Sequence, residues 1–123
     1  MIGAHILIYS SAPEKDRQFL TDVLQLKSVD AGHGWLIFKL PPAELAVHPV
    51  DEDSGDATAH SMLDAHLYLM CDDLERTMKD LAKKGVQCGD VGKERWGMRT
   101  TIRLPSGGTL GLYQPTHPIA LGL

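Results

Sequence analysis

Ala4-His5-Ile6-Leu7-Ile8 returns later in the chain as Ala65-His66-Leu67-Tyr68-Leu69. The two stretches stand 61 positions apart, and so do Glu14 and Glu75, Leu20 and Leu81, and Trp35 and Trp96. Leu40-Pro41 and Leu104-Pro105 match at a step of 64, which places a small insertion in the second copy. Such a repeat marks one supersecondary unit used twice. Each copy has about 55 residues, too few for a comfortable core of its own, so two copies sharing one core is the simplest reading.

Within each copy the element order is legible. His5 to Tyr9 is rich in β-formers and reads as a strand. Ser10-Ser11-Ala12-Pro13-Glu14 opens a helix. A serine can cap it, Pro13 suits its first turn, and Glu14 and Asp16 suit the positive end of its dipole. Phe19, Leu20, Val23 and Leu24 share one helical face. In the second copy Asp72 is the expected N-cap, with Glu75 three residues on. Leu74, Met78, Leu81 and Ala82 form the apolar stripe, and Gly85 is the stop. Three short strands are expected after each helix, at about 27–31, 35–40 and 44–48, then about 87–91, 98–104 and 109–114. The predicted fold class is α+β, one domain of two βαβββ modules. Module one covers about 3–49, an acidic linker about 50–64, module two about 65–115, and a tail 116–123.

The composition narrows the function. Of 123 residues, 43% are hydrophobic and 23% charged, the balance of a folded globular chain. The net charge of -4 and the lack of a basic stripe argue against a nucleic-acid partner. No apolar run reaches the roughly 20 residues of a bilayer span, so no membrane partner is expected. The start lacks a basic n-region, and Cys71 and Cys88 form neither a disulfide scaffold nor a CxxC site. A cytoplasmic protein with reduced thiols is the expectation. Cys71, next to Asp72 and Asp73, reads as an inert buried thiol.

These pieces, in this order, resemble the vicinal oxygen chelate superfamily of glyoxalases, bleomycin-resistance proteins and extradiol dioxygenases. The carriers are His5 and His66, and the helix Phe19-Leu20-Thr21-Asp22-Val23-Leu24-Gln25-Leu26, similar to the family's F-Y-x-D-V-L-G-L. Trp96-Gly97-Met98-Arg99 is a third, and the fourth is Pro105-Ser106-Gly107-Gly108-Thr109-Leu110-Gly111-Leu112-Tyr113-Gln114-Pro115. That ending resembles P-D-G-N-x-I-E-L-x-x-P. The resemblance implies curved mixed sheets around a shared cavity, helices outside, and a homodimer. Strand alternation then turns Ile6, Ile8, Leu45, Val47, Leu67, Leu69, Leu110 and Leu112 toward the helices. It turns His5, Leu7, Tyr9, Glu44, His48, His66, Tyr68, Met70, Gly111 and Tyr113 toward the cavity.

Family members that hold a metal use the first-strand histidine of each module and a carboxylate on the last strand. By resemblance the ligands here are His5, His66 and Glu44, with Gly111 standing where a second glutamate would be. Two imidazoles and one carboxylate with open positions would suit a divalent iron, nickel, zinc or manganese ion. His48 is the substitute if the strand slips by one residue. The same histidines can instead bond backbone carbonyls, and Glu44 can be a solvated loop residue.

Tyr9, Trp35, Tyr68, Met70, Trp96 and Tyr113 are the further pocket candidates, with the two tryptophans as paired walls. Arg99 and Arg103 share one strand face. On the cavity side they would grip an anionic ligand, and on the outer side they are solvated charges. His33, His60 and His117 fall in loops. Two functions follow: a metal-dependent lyase or dioxygenase, with His48, Tyr113 or a metal-bound water as acid or base, or a metal-free protein that sequesters a small-molecule ligand.

Overall fold

The computed structural model describes residues 3–49 and 64–123. The acidic linker, with His60, lies outside the described residues except for Asp64. The first copy contributes helix α1 (Pro13–Asp22) and strands β1 (Ser28–Asp30) and β2 (Leu36–Phe38). The second contributes β3 (Tyr68–Met70), α2 (Leu74–Lys83), β4 (Gly92–Glu94), β5 (Gly97–Arg103) and β6 (Thr109–Pro115). The second copy is therefore a complete βαβββ unit. Its sheet has the order β3-β6-β5-β4, with β3 parallel to β6 and the other pairs antiparallel.

Two boundaries differ from the sequence reading. Asp73, one residue later than expected, caps α2: its carboxylate accepts from the Arg76 backbone N–H at 3.0 Å. The strand expected at 87–91 is registered instead at Gly92–Glu94. Before it, Gly89 N–H meets Thr101 O at 2.9 Å and the Thr100 hydroxyl donates to Gly89 O, so this stretch follows β5 without an early ladder. Gly85 does end α2. Its φ of +80° lets its own N–H return to Ala82 O and that of Val86 to Leu81 O, the bond pair of a Schellman turn.

The first copy departs further. Only β1 and β2 pair, as an antiparallel hairpin. The stretches 5–9 and 44–48 join no ladder among the described residues. In the second copy the corresponding strands, β3 and β6, satisfy each other's backbone. In the first they have no such neighbour among the described residues, and the side chains expected under a helix stay in solvent. Leu45 is 93% and Val47 92% exposed, and Ile6 and Ile8 are exposed as well.

One core serves both copies. Leu74 and Leu81 of α2 close on Ile102, Leu104, Leu110 and Leu112, and Phe19, Val23 and Leu24 from the first copy pack against this cluster. A polar clamp joins the copies beside it. Asp16 of α1 is only 4% exposed and accepts from Ser106 twice, from the backbone N–H at 2.9 Å and from the hydroxyl at 2.6 Å. Burial alone pushes the pKa of this carboxyl up, but the bonds from Ser106 and Ser10 outweigh it and hold the pKa below the usual carboxylate value.

Candidate functional site

The strand register sorts the side chains of the second sheet into two faces. Thr100 pairs with Leu112 and Ile102 with Leu110, and these point into the core under α2. The opposite face carries Arg99 beside Tyr113, Thr101 beside Gly111, and Arg103 beside Thr109. On the parallel edge Tyr68 pairs with Gly111 and Met70 with Tyr113. Six of the expected pocket residues thus belong to one region: Tyr68, Met70, Trp96, Arg99, Arg103 and Tyr113. The two arginines lie on the face away from α2, which resolves their orientation. Arg99 is tethered there, since its Nη2 and Nε meet Glu94 Oε1 at 3.0 and 3.2 Å.

Three rings make an aromatic wall on this face. Tyr68, Trp96 and Tyr113 meet pairwise edge to face, with centroids 5.3 to 5.8 Å apart and planes 75 to 86° apart. That geometry sets the electropositive edge of one ring on the electronegative face of the next. Tyr113 is buried, while Tyr68 and Trp96 remain 36% exposed and face solvent at right angles. The Tyr68 ring lies directly over Gly111, and a β-carbon at 111 would fall among its ring carbons. The place that the resemblance assigns to a second carboxylate is therefore filled by an aromatic ring.

The other carboxylate of the expected metal set is also committed. Glu44 Oε2 accepts the Ala120 backbone N–H at 2.7 Å, and Oε1 stands 3.4 Å from the Tyr113 hydroxyl. That hydroxyl is 3.2 Å from His117 Nε2. His117 Nδ1 lies 2.7 Å from Pro118 O. A carbonyl can only accept, so Nδ1 carries a proton, and in the neutral ring Nε2 accepts from Tyr113. The His117 ring stacks on Tyr113 at 6.0 Å and 24°. Burial, and then the nearby Glu44 carboxylate, push the Tyr113 phenol above its ordinary pKa, so Tyr113 is a proton donor and not a phenolate.

The remaining expected residues lie elsewhere. His5, Glu44 and His66 do not gather, for among the described residues no three His, Cys, Asp or Glu side chains stand where they could hold an ion. Tyr9 is exposed, and among the described residues His48 reaches only the neighbouring Pro49 carbonyl. Trp35 is not a second wall opposite Trp96. It is exposed, with the Arg17 guanidinium 5.0 Å over its ring beside α1. Burial raises the thiols of Cys71 and Cys88, in keeping with inert cysteines. From sequence, His117 is a loop histidine. Its spacing of four from Tyr113 was the one available signal, and it has meaning only once the tail folds back.

The match to known proteins covers this same architecture. The family model described as Glyoxalase/Bleomycin resistance protein/Dioxygenase superfamily matches residues 3–112. The chain belongs to this superfamily. Among solved structures it is similar to TnmS3, an antibiotic binding protein from Streptomyces sp. CB03234, at 22% identity and a TM-score of 0.62, covering 94% of this chain and 99% of that one. It is also similar to lactoylglutathione lyase from Agrobacterium tumefaciens, at 15% identity and a TM-score of 0.60, covering 93% and 96%. A glyoxalase/bleomycin resistance protein from Streptomyces sp. CB03234 shows 22% identity and a TM-score of 0.57, covering 87% and 95%. At these identities the likeness to solved structures speaks for the fold. The chain has no match among the curated proteins. Among the described residues no helix is long and apolar enough to cross a membrane.

Proposed function

We infer that this chain is a metal-free small-molecule binding protein, and that the wall of Tyr68, Trp96 and Tyr113 is its binding face. One observation carries the reading: the Tyr68 ring occupies the space over Gly111, where the resemblance would put a second chelating carboxylate. The divalent ion that the resemblance implies would need His5, His66 and Glu44, whereas Glu44 accepts the Ala120 N–H through Oε2 and turns Oε1 toward the Tyr113 hydroxyl. Two exposed rings at right angles suit a flat ligand group, which stacks on one while presenting its edge to the other. Met70, the register partner of Tyr113, supplies an adaptable apolar contact, and Arg103 places a charge further along the same face of β5. The likeness to an antibiotic binding protein supports this class of function more than it identifies a ligand.

The test uses Trp96 as its own reporter. With Trp35→Phe as background, Trp96 fluorescence is followed against a panel of planar aromatic compounds, with Tyr68→Ala beside it. Saturable quenching that weakens at least tenfold in Tyr68→Ala supports the reading. Stoichiometric binding of iron, nickel, zinc or manganese, lost in both His5→Ala and Glu44→Ala, would replace it with the metal-dependent lyase or dioxygenase.

The stretches 5–9 and 44–48 further support a homodimer. Leu45 and Val47 are apolar, alternate, and lie almost fully in solvent, while β3 is an edge strand of the neighbouring sheet. Exposed apolar edges of this kind are ordinarily covered. A second copy provides the same edge in return.

A further inference from the structure

We propose that Glu44 is a latch residue, which ties the C-terminal tail to the first copy and so closes one side of the aromatic wall. The tail leaves β6 beside Trp96, where the Thr116 N–H donates to Trp96 O and its hydroxyl to Arg95 O, each at 3.0 Å. It then lays the His117 ring on Tyr113 and brings the Ala120 N–H to Glu44 Oε2 at 2.7 Å. Glu44 belongs to the first copy, and no regular element connects it to the tail. Its side chain is nonetheless only 18% exposed. A carboxylate held this way gains from charge-assisted bonds that a solvated loop glutamate lacks.

The geometry explains why the latch bears on the pocket. Tyr113 is the buried ring of the three: Tyr68 and Trp96 meet it edge to face, and His117 stacks on it with Glu44 at its hydroxyl. Its single phenolic proton has Glu44 Oε1 and, in the neutral ring, His117 Nε2 within reach, and serves one at a time. Releasing the tail removes His117 from the ring and frees Glu44 from Ala120. The wall then gains a third accessible face. Glu44 is a positioning residue in this scheme, acting through the tail and through Tyr113. The effect on access rests on the binding face proposed above, whereas the tie between Glu44 and the tail does not.

Hydrogen exchange and dye uptake together test the latch. Amide exchange of residues 117–123 is compared in the wild type, Glu44→Ala, Glu44→Gln and Ala120→Pro. Ala120→Pro deletes the donor and leaves the carboxylate in place, and the chain fold is checked by the unchanged exchange of β5 and β6. The Ala120 amide is expected to exchange about tenfold faster in Glu44→Ala, with a smaller change in Glu44→Gln, which keeps one acceptor oxygen. In Ala120→Pro the amides that flank position 120 loosen to the same extent. Uptake of anilinonaphthalene sulfonate, followed by Trp96 fluorescence, is expected to quicken several-fold in Glu44→Ala and Ala120→Pro. An Ala120 amide that already exchanges in the wild type as fast as in Glu44→Ala overturns the latch. So does dye uptake unchanged in both variants despite a loosened tail. Dye that never reaches Trp96 counts against the binding face, and the exchange comparison still decides the tie.

Discussion

The ring of Tyr68 covers Gly111 on the adjoining parallel strand, so the two residues share one volume and only one of them can have a side chain. Gly111→Ala therefore forces the ring off its seat or spreads β3 from β6. Overpacking of this kind costs about 1–3 kcal/mol. In Tyr68→Ala the seat is empty, and the added methyl is accommodated. Urea unfolding of both single variants and the double variant is expected to show a coupling of about 1 kcal/mol or more, with the double variant more stable than the sum of the single changes. Strict additivity would mean that the ring does not rest on position 111.

Asp16 contributes to the acid limb of stability. Its folded pKa lies below the ordinary value, because the Ser106 and Ser10 bonds to the ionised form outweigh the opposing burial. A depressed carboxyl contributes stability above its unfolded pKa, near about 3.9, and that contribution is lost as pH falls through the folded value. Asp16→Asn is thus expected to lower the melting temperature at neutral pH and to flatten its decline below about pH 4. Asp16→Ala also leaves the half-buried Ser106 N–H without its partner and is expected to cost about 1–3 kcal/mol at pH 7. A Ser106→Ala variant that melts like the wild type would remove the hydroxyl from this account.

Tyr113 gives a spectroscopic reading of the site. Burial and the Glu44 carboxylate both oppose its phenolate, so its folded pKa is raised above about 10. A raised phenol stabilises the fold below its unfolded pKa, and that part is lost as pH climbs from about 10 through the folded value. Alkaline difference absorbance should resolve a late-titrating tyrosine that Tyr113→Phe abolishes. Glu44→Ala is expected to bring this step to lower pH, because it removes the charge that disfavours the phenolate.

The second copy was largely legible from sequence, for physical reasons that particular residues make plain. Leu110 and Leu112 alternate with Gly111 and Tyr113, and the period-two pattern placed each pair on its observed face. Pro13 and Gly85 marked their helix ends because one has a fixed φ and the other tolerates a positive one. The first copy misled, since the same alternation at 5–9 and 44–48 records a preference for pairing and says nothing of where the partner strand is. Trp35 misled similarly, because equal position in a repeat does not confer an equal neighbour. The Glu44–Tyr113–His117 cluster was out of reach, for it joins residues 69 positions apart through a tail with no periodicity. Tyr68 over Gly111 was half visible: the missing side chain could be seen, but not the ring that fills its place.

The last prediction concerns what covers Leu45 and Val47. Both point into solvent within one chain, at 93% and 92% exposure, in a stretch whose alternation is that of a strand with one apolar face. Burying two such side chains is worth about 1.5–3 kcal/mol each, enough to bias an association by two orders of magnitude or more. Light scattering behind size exclusion is expected to give a dimer mass for the wild type at high micromolar concentration. Leu45→Glu with Val47→Glu is expected to give a monomer, with the second-copy core intact by near-ultraviolet circular dichroism. The double charge has no such effect if the stretch is simply a solvated loop, since surface substitutions then change little. A wild type that stays monomeric across the same range would assign these side chains to solvent or to a different partner. If the association instead survives the double charge, another surface mediates it.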